Sequence, residues 1–218
     1  NYSYHGNEPV IENRSSQEAN IKVTGGTVKG KTTGGVIENS YNGRDAGSKI
    51  NVEMTGGIIQ NSNGYGIYNI RSTSYGITDG TTSVKITGGM IKGSRNGIYN
   101  EKGIVTLGEN DGIVSKEVPE ITGGTYGVNN GSTFNFYDGI IKGSTSSIAG
   151  VITEIPQGYK IDTTTSEGIQ TAILNIIATD EAVVKVGSMY YMDLQTAINA
   201  CVDGEKTTIT LLKGIELE

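Results

Sequence analysis

The feature that most constrains this chain is a phrase it keeps restating. "ITGGMIKGSRNGIYN" (86–100) repeats "MTGGIIQNSNGYGIYN" (54–69), and shorter versions stand at "VTGGTVKG" (23–30), "ITGGTYGVNN" (121–130) and "FYDGIIKG" (136–143). Aligned, these give a unit of apolar-x-apolar-x-Gly-Gly-x-apolar-x-Gly, a polar turn, then Gly-apolar-x-Asn. The glycine pairs recur unevenly: Gly25 to Gly56 is 31 residues, Gly56 to Gly88 is 32, and Gly88 to Gly123 is 35. The clean unit, Val84 to Gly103, takes 20 residues, and the longer intervals carry inserts at 71–83 and 108–120. Unequal inserts on a regular frame describe a solenoid with loops at its corners.

Alternation fixes the element type. In Ile21-Lys22-Val23, Val52-Glu53-Met54, Val84-Lys85-Ile86 and Phe134-Asn135-Phe136, apolar residues flank a polar one. A period of two belongs to a strand with one buried face. After each glycine pair, Val28, Ile59, Ile91 and Ile141 are expected to point inward, with Lys29, Gln60, Lys92 and Lys142 outward. A third strand directs Ile37, Ile67, Ile98 and Val128 inward. Three short strands per coil with glycine-rich corners predict an all-β chain, a right-handed parallel β-helix. Asn39, Asn69, Asn100 and Asn130 recur at the end of the third strand, where stacked asparagines can hydrogen-bond from coil to coil.

The GG-x-I-x-G and G-I-Y-N words, with "VTLGENDGIVSKEVPEITGGTYGVNNGSTFNFYDGIIKGSTSSIAG" (105–150), resemble the β-helical repeat regions of large Gram-positive surface proteins. Those regions are pectate-lyase-like solenoids with adhesin-like roles. The resemblance covers residues 21 to about 155. It implies an extracellular, cell-surface setting. Pectate lyases of this fold carry acidic calcium ligands and a catalytic Arg or Lys on one strand face, and no such set is placed in this chain.

The repeat stops near Pro156 and Gly158, which divides the chain into a solenoid (1–155) and a C-terminal strand–helix–strand segment (156–218). Asp193 is the expected N-cap of a helix over 193–202 whose buried face is Leu194, Ala197, Ile198 and Cys201. Segments 182–187 and 207–212 read as strands. "EGIQTAILNII" (167–177) fits either a helical stripe or a strand, and its β-branched content favours the strand. The opening "NYSYHGNEPV", without Met, suits a mature or excised segment, and the closing "KGIELE" suits a chain that continues. The C-terminal segment would then either cap this solenoid or lead into a following one.

Composition narrows the partners. The net charge of −6 disfavours a nucleic-acid backbone and an anionic membrane surface. No apolar run approaches the ~18 residues of a membrane span. One cysteine, Cys201, excludes an internal disulfide framework, and no cofactor is expected. Host or cell-wall glycans or proteins are the expected partners of a monomeric chain.

Candidate site residues are few. Tyr68 and Tyr99 on the third face could hold a sugar against an aromatic ring, or could simply stack on each other. Lys92 and Lys142 add outward charge on the second face. Glu109 and Asp111 in "GENDG" are weak candidates for calcium ligands, and without a third acid a polar turn is the plainer reading. His5, and Arg14, Arg44, Arg71 and Arg95, fall in terminal or turn positions and read as solvated surface. Glycosidase chemistry needs two facing carboxylates. Glu38, Glu53 and Asp138 form no evident pair, so no catalytic residues are assigned. The preferred expectation is a non-catalytic stalk or adhesin module with a possible glycan-binding face. The alternative is a polysaccharide lyase or glycoside hydrolase working from loops 71–83 and 108–120.

Overall fold

The structure, a computed structural model, describes residues 8–15, 17–41, 47, 49–71 and 80–214. The chain winds through stacked coils. The first contains β1 (Ile11–Ser15), β2 (Ala19–Val23) and β3 (Thr27–Gly30). The second contains β4 (Gly35–Tyr41), β5 (Lys49–Met54) and β6 (Ile58–Asn61), and the third β7 (Tyr65–Arg71), β8 (Thr81–Ile86) and β9 (Met90–Gly93). Next come β10 (Asn96–Asn100), β11 (Ile104–Leu107) and β12 (Glu120–Gly123). The last coil holds β13 (Tyr126–Asn130), β14 (Thr133–Phe136) and β15 (Ile140–Gly143), and β16 (Ser146–Ala149) follows it. Beyond the coils lie β17 (Tyr159–Ser166), β18 (Ile169–Ile176), β19 (Val184–Val186), β20 (Met189–Tyr191), α1 (Leu194–Asn199) and β21 (Ile209–Leu211).

Equivalent strands of successive coils pair in parallel and build three sheets. Sheet A runs β1-β4-β7-β10-β13-β16, sheet B β14-β11-β8-β5-β2, and sheet C β17-β18-β15-β12-β9-β6-β3. The chain is therefore a parallel β-helix with three strands per coil. Inward residues stack rung on rung: Ile37, Ile67, Ile98 and Val128 in sheet A, and Ile59, Ile91, Ile121 and Ile141 in sheet C, all fully buried. Each such side chain contributes about 1.5–3 kcal/mol by leaving water. Among the described residues no helix is long and apolar enough to cross a membrane.

Two details of the repeat differ from the sequence reading. First, β11 adds a rung that the aligned words do not contain: Val105 and Leu107 sit between Val84 and Ile86 below and Phe134 and Phe136 above. Second, the glycine pair at 123–124 is not the fourth copy of the corner made by Gly25-Gly26, Gly56-Gly57 and Gly88-Gly89. At that corner Gly57 has φ +87, and an added Cβ would lie 2.8 Å from the Gly25 carbonyl carbon. Gly123 instead lies in sheet C, stacked between Gly93 and Gly143, and a Cβ there would meet the Tyr126 carbonyl oxygen at 1.7 Å. Both corners demand glycine, so the same dipeptide marks two different places in the coil. The B-to-C corner after β11 is opened by the insert 108–119.

The asparagine ladder forms and is one rung longer than the repeat suggested. The Asn13 side-chain amide donates to Asn39 (2.8 Å), Asn39 to Asn69 (2.9 Å), Asn69 to Asn100 (2.8 Å) and Asn100 to Asn130 (2.6 Å). Asn130 ends the chain of amides by donating to the Ser132 and Val151 carbonyls, both at 2.7 Å. All five asparagines are buried, and each amide also bonds backbone carbonyls of the adjoining turn, as Asn13 does to Asn51 at 2.9 Å.

Segment 167–177 is extended, as its β-branched content suggested: β17 and β18 form a hairpin, and β18 pairs antiparallel with β15. Ala172 and Leu174 of β18 are fully buried in the solenoid core. The hairpin thus covers the open edge of sheet C, and it leaves a charged strand, with Lys160 and Asp162, outermost. The remaining segment is a separate small unit in which β19 pairs with both β20 and β21. Its core is Val184, Tyr191 and Ala197. Asp193 caps α1 as expected, accepting from the Thr196 N–H at 2.7 Å. The helix is shorter than 193–202, and its expected face is only partly buried. Ile198 is 44% exposed, because the three-strand sheet is too narrow to cover more than Ala197 and the side of Leu194.

Candidate functional site

Sheet A presents an outward column of Glu12, Glu38, Tyr68, Tyr99, Asn129 and Ala149, each in register with the next. The period of two that turns Ile67 and Ile98 inward turns Tyr68 and Tyr99 outward. Their ring centroids lie 5.1 Å apart with planes 5° from parallel. Parallel rings at that separation lie face to face. Tyr65, three residues before Tyr68 on β7, closes the side of the stack, 5.1 Å and 62° from Tyr99 and 5.5 Å and 57° from Tyr68. The two rings therefore use their shared faces on each other. A sugar can lie only against an outer face: that of Tyr68, toward the Glu38 rung, or that of Tyr99, toward the Asn129 rung.

The electrostatics differ at the two ends. The Tyr68 hydroxyl donates to the Glu101 carboxylate. Burial, then this bond, holds the Tyr68 phenol far above its ordinary range, and burial with the Glu101 charge raises Tyr99 as well. Glu38 is half-buried on the rung next to Tyr68. Burial, reinforced by the Glu12 charge and opposed by Arg14, holds its carboxyl above the ordinary carboxylate value. The repeat unit gives no reason to single out Tyr65 or Glu101, and Glu38 enters the sequence reading only as a carboxylate without an evident pair. The signal available was the extra Tyr in "GYGIYN", against "NGIYN" one coil later.

Lys92 and Lys142 lie on sheet C, a different face from the tyrosines. The column there is Lys29, Gln60, Lys92, Thr122 and Lys142, so the two lysines are separated by the Thr122 rung. Lys142 is neutralised by Glu120 at 3.0 Å, and Lys92 is exposed. The structure does not bring these lysines to the tyrosine stack.

Glu109 and Asp111 occupy the 108–119 insert. Glu109 pairs with Lys85 at 2.8 Å, and the Asp111 carboxylate accepts from the Ile113 N–H at 2.9 Å in a local turn. Asp138 faces the same insert and accepts from the Ser115 N–H. Among the described residues no group of three His, Cys, Asp or Glu is placed to hold a metal ion. Of the other insert, 72–79 lie outside the described residues, as do His5 and Arg44. The two inserts leave the coil at opposite borders of sheet B. Cys201, half-buried, donates to the Ala197 carbonyl at 3.3 Å within its own helical turn.

One cavity was invisible in the sequence. A cleft of 540 Å³ lies between the solenoid end, at Thr153–Ile161, and the C-terminal unit, at Tyr191, Asp193 and Thr196. Its two charged groups Asp193 and Lys160 are already engaged: Asp193 caps α1, and Lys160 bridges Asp162 at 3.2 Å and Glu181 at 2.5 Å.

No family model, no curated protein and no solved structure matches this chain significantly. The arrangement of its own side chains therefore carries the functional reading.

Proposed function

We propose that this chain is a non-catalytic, extracellular β-helical stalk or adhesin module of a bacterial surface protein. It belongs with the pectate-lyase-like solenoids in architecture, and its tyrosine face serves as a glycan contact. The observation that carries this reading is the unbroken amide ladder from Asn13 to Asn130, four inter-coil bonds long and wholly buried. Such a ladder resists shear between coils, because displacing one coil leaves buried amides unpaired on both sides. A rod of this kind suits holding a binding face away from a surface. The outer charges support the same reading, since several are spent on neighbours of the rod: Lys22 on Glu53, Lys85 on Glu109, Lys142 on Glu120.

Two measurements test it. Protease shaving of intact source cells should release peptides of this chain, and their retention inside the cells would overturn the surface assignment. Incubation with pectins, alginates and glycosaminoglycans should produce neither unsaturated nor reducing ends. Their appearance would establish the lyase or hydrolase alternative.

A further inference from the structure

The two ends of the solenoid are finished differently. At the C-terminal end Asn130 spends its amide on the Ser132 and Val151 carbonyls, both at 2.7 Å, and the β17–β18 hairpin covers the edge of sheet C. At the N-terminal end β1, β2 and β3 are the outermost strands of sheets A, B and C. Their inward side chains Ile11, Ile21 and Val28 are only partly buried, whereas Ile37, Val52 and Ile59 on the next rung are covered. None of these three strands contains a proline or turns a charge inward, two common guards of an open edge.

The asparagine ladder gives this end a direction. Each asparagine from Asn39 to Asn100 accepts from the coil before it and donates to the coil after it. Asn13 only donates. Its amide bonds Asn39 and the Asn51 carbonyl, so its own carbonyl faces the end of the solenoid, and no donor reaches it among the described residues. That acceptor belongs to a side chain only 5% exposed. A buried acceptor without a donor is costly, and an amide from a preceding coil would remove the cost.

The occupant of this end follows from what each candidate can donate. A second copy meeting it by two-fold symmetry brings its own Asn13, whose amide hydrogens are both spent, and acceptor would face acceptor. A second copy stacked head to tail brings Asn130, whose amide hydrogens are also spent, at an end that the hairpin closes. A coil with the Gly-apolar-x-Asn word brings an amide that is still free to donate. We infer that the N-terminal end is the stacking surface for a further β-helical coil, supplied by polypeptide ahead of Asn1, whose sheet A asparagine donates to the Asn13 carbonyl. Successive ladder asparagines stand 26, 30, 31 and 30 residues apart, so the donor lies about 26–31 residues ahead of Asn13. The added coil lengthens the rod, whatever surface that rod serves.

Peptide sequencing of the intact polypeptide, captured from source cells with an antibody to this chain, reads the inference directly. It should find a Gly-apolar-x-Asn word ending in that interval, and a native chain without it overturns the inference. Sedimentation of the chain as it stands tests the rival occupant. A monomer is expected, and a dimer that Val10→Lys dissolves would give the end to a second copy instead. A third measurement asks whether Asn13 can accept. In the chain as it stands, Asn13→Ala should lower the melting midpoint about half as far as Asn69→Ala. With residues 8–33 repeated ahead of Glu8, the original Asn13 becomes an interior member, and the two substitutions should lower it equally. An unchanged ratio would overturn the inference, and none of these outcomes bears on cell location or turnover, on which the stalk reading stands.

Discussion

Asn69 donates its side-chain amide to Asn100 across 2.8 Å while accepting from Asn39 at 2.9 Å, all three fully buried. Removing this middle member leaves the buried Asn100 acceptor without its donor and takes the ladder acceptor from the Asn39 amide, which keeps only the Ile50 and Ser83 carbonyls. Asn69→Ala should cost roughly 2–4 kcal/mol in denaturant unfolding. Asn13→Ala, at the end of the ladder, interrupts one inter-coil amide bond instead of two, leaving the Asn39 acceptor and the Asn51 carbonyl without the Asn13 donor, and should cost about half as much. Equal losses would mean the ladder does not act as a chain.

The inside–outside assignment of sheet C has its own test. Ile91 is fully buried between Ile59 and Ile121, whereas Lys92 next to it is exposed. Ile91→Asp should cost roughly 3–5 kcal/mol, the penalty of an uncompensated buried charge. Lys92→Asp should change stability by under about 1 kcal/mol. Chemical denaturation of the two variants side by side checks the contrast.

Glu38 also makes a prediction about pH. Its carboxyl is held above the ordinary value of 4.5, so the folded chain binds its proton more tightly than the unfolded chain. Stability from this group is therefore lost as pH rises from the ordinary value through the raised one. Glu38→Gln should be neutral well below pH 4.5 and stabilising at pH 7, by less than about 1 kcal/mol for a half-exposed group. Asp162, lowered chiefly by its bond from Asn175, and Glu181, lowered chiefly by Lys160, pull the other way as pH falls. The measurement is accordingly the difference between variant and parent melting curves across pH, and a variant less stable at pH 7 would contradict it.

The two parts of the C-terminal region should separate by truncation. Ala172 and Leu174 belong to the solenoid core, while Val184, Tyr191 and Ala197 form a small cluster of their own. A chain ending at residue 179 keeps the hairpin and should stay monomeric with nearly unchanged melting. A chain ending at 155 loses it, exposes the edge of β15, and should melt lower and associate. Size-exclusion chromatography with thermal melting reads both. If the shorter truncation alone causes association, the terminal unit and not the hairpin is the cap.

The sequence by itself determined the coil. The period of two in Val52-Glu53-Met54, the inward isoleucines and the recurrent asparagines are local statements, true of one strand whatever its neighbours do, and the structure repeats them on every rung. Tyr68 and Tyr99 could likewise be placed outward on one face from the "GIYN" words alone. Only tertiary structure decided which strand stacks on which. The pair Gly123-Gly124 reads like Gly88-Gly89, yet it stands at a different corner, because both corners need a residue without a side chain and the 108–119 insert hides the count of residues per coil. The same insert concealed the Val105 and Leu107 rung. The β-branched content of 167–177 favoured a strand, but its pairing with β17 and β15 came from the open edge of sheet C, a need that its own residues do not state. The juxtaposition of Glu38 with Tyr68 was equally out of reach, since the two lie 30 residues apart and meet only when one coil settles on the next.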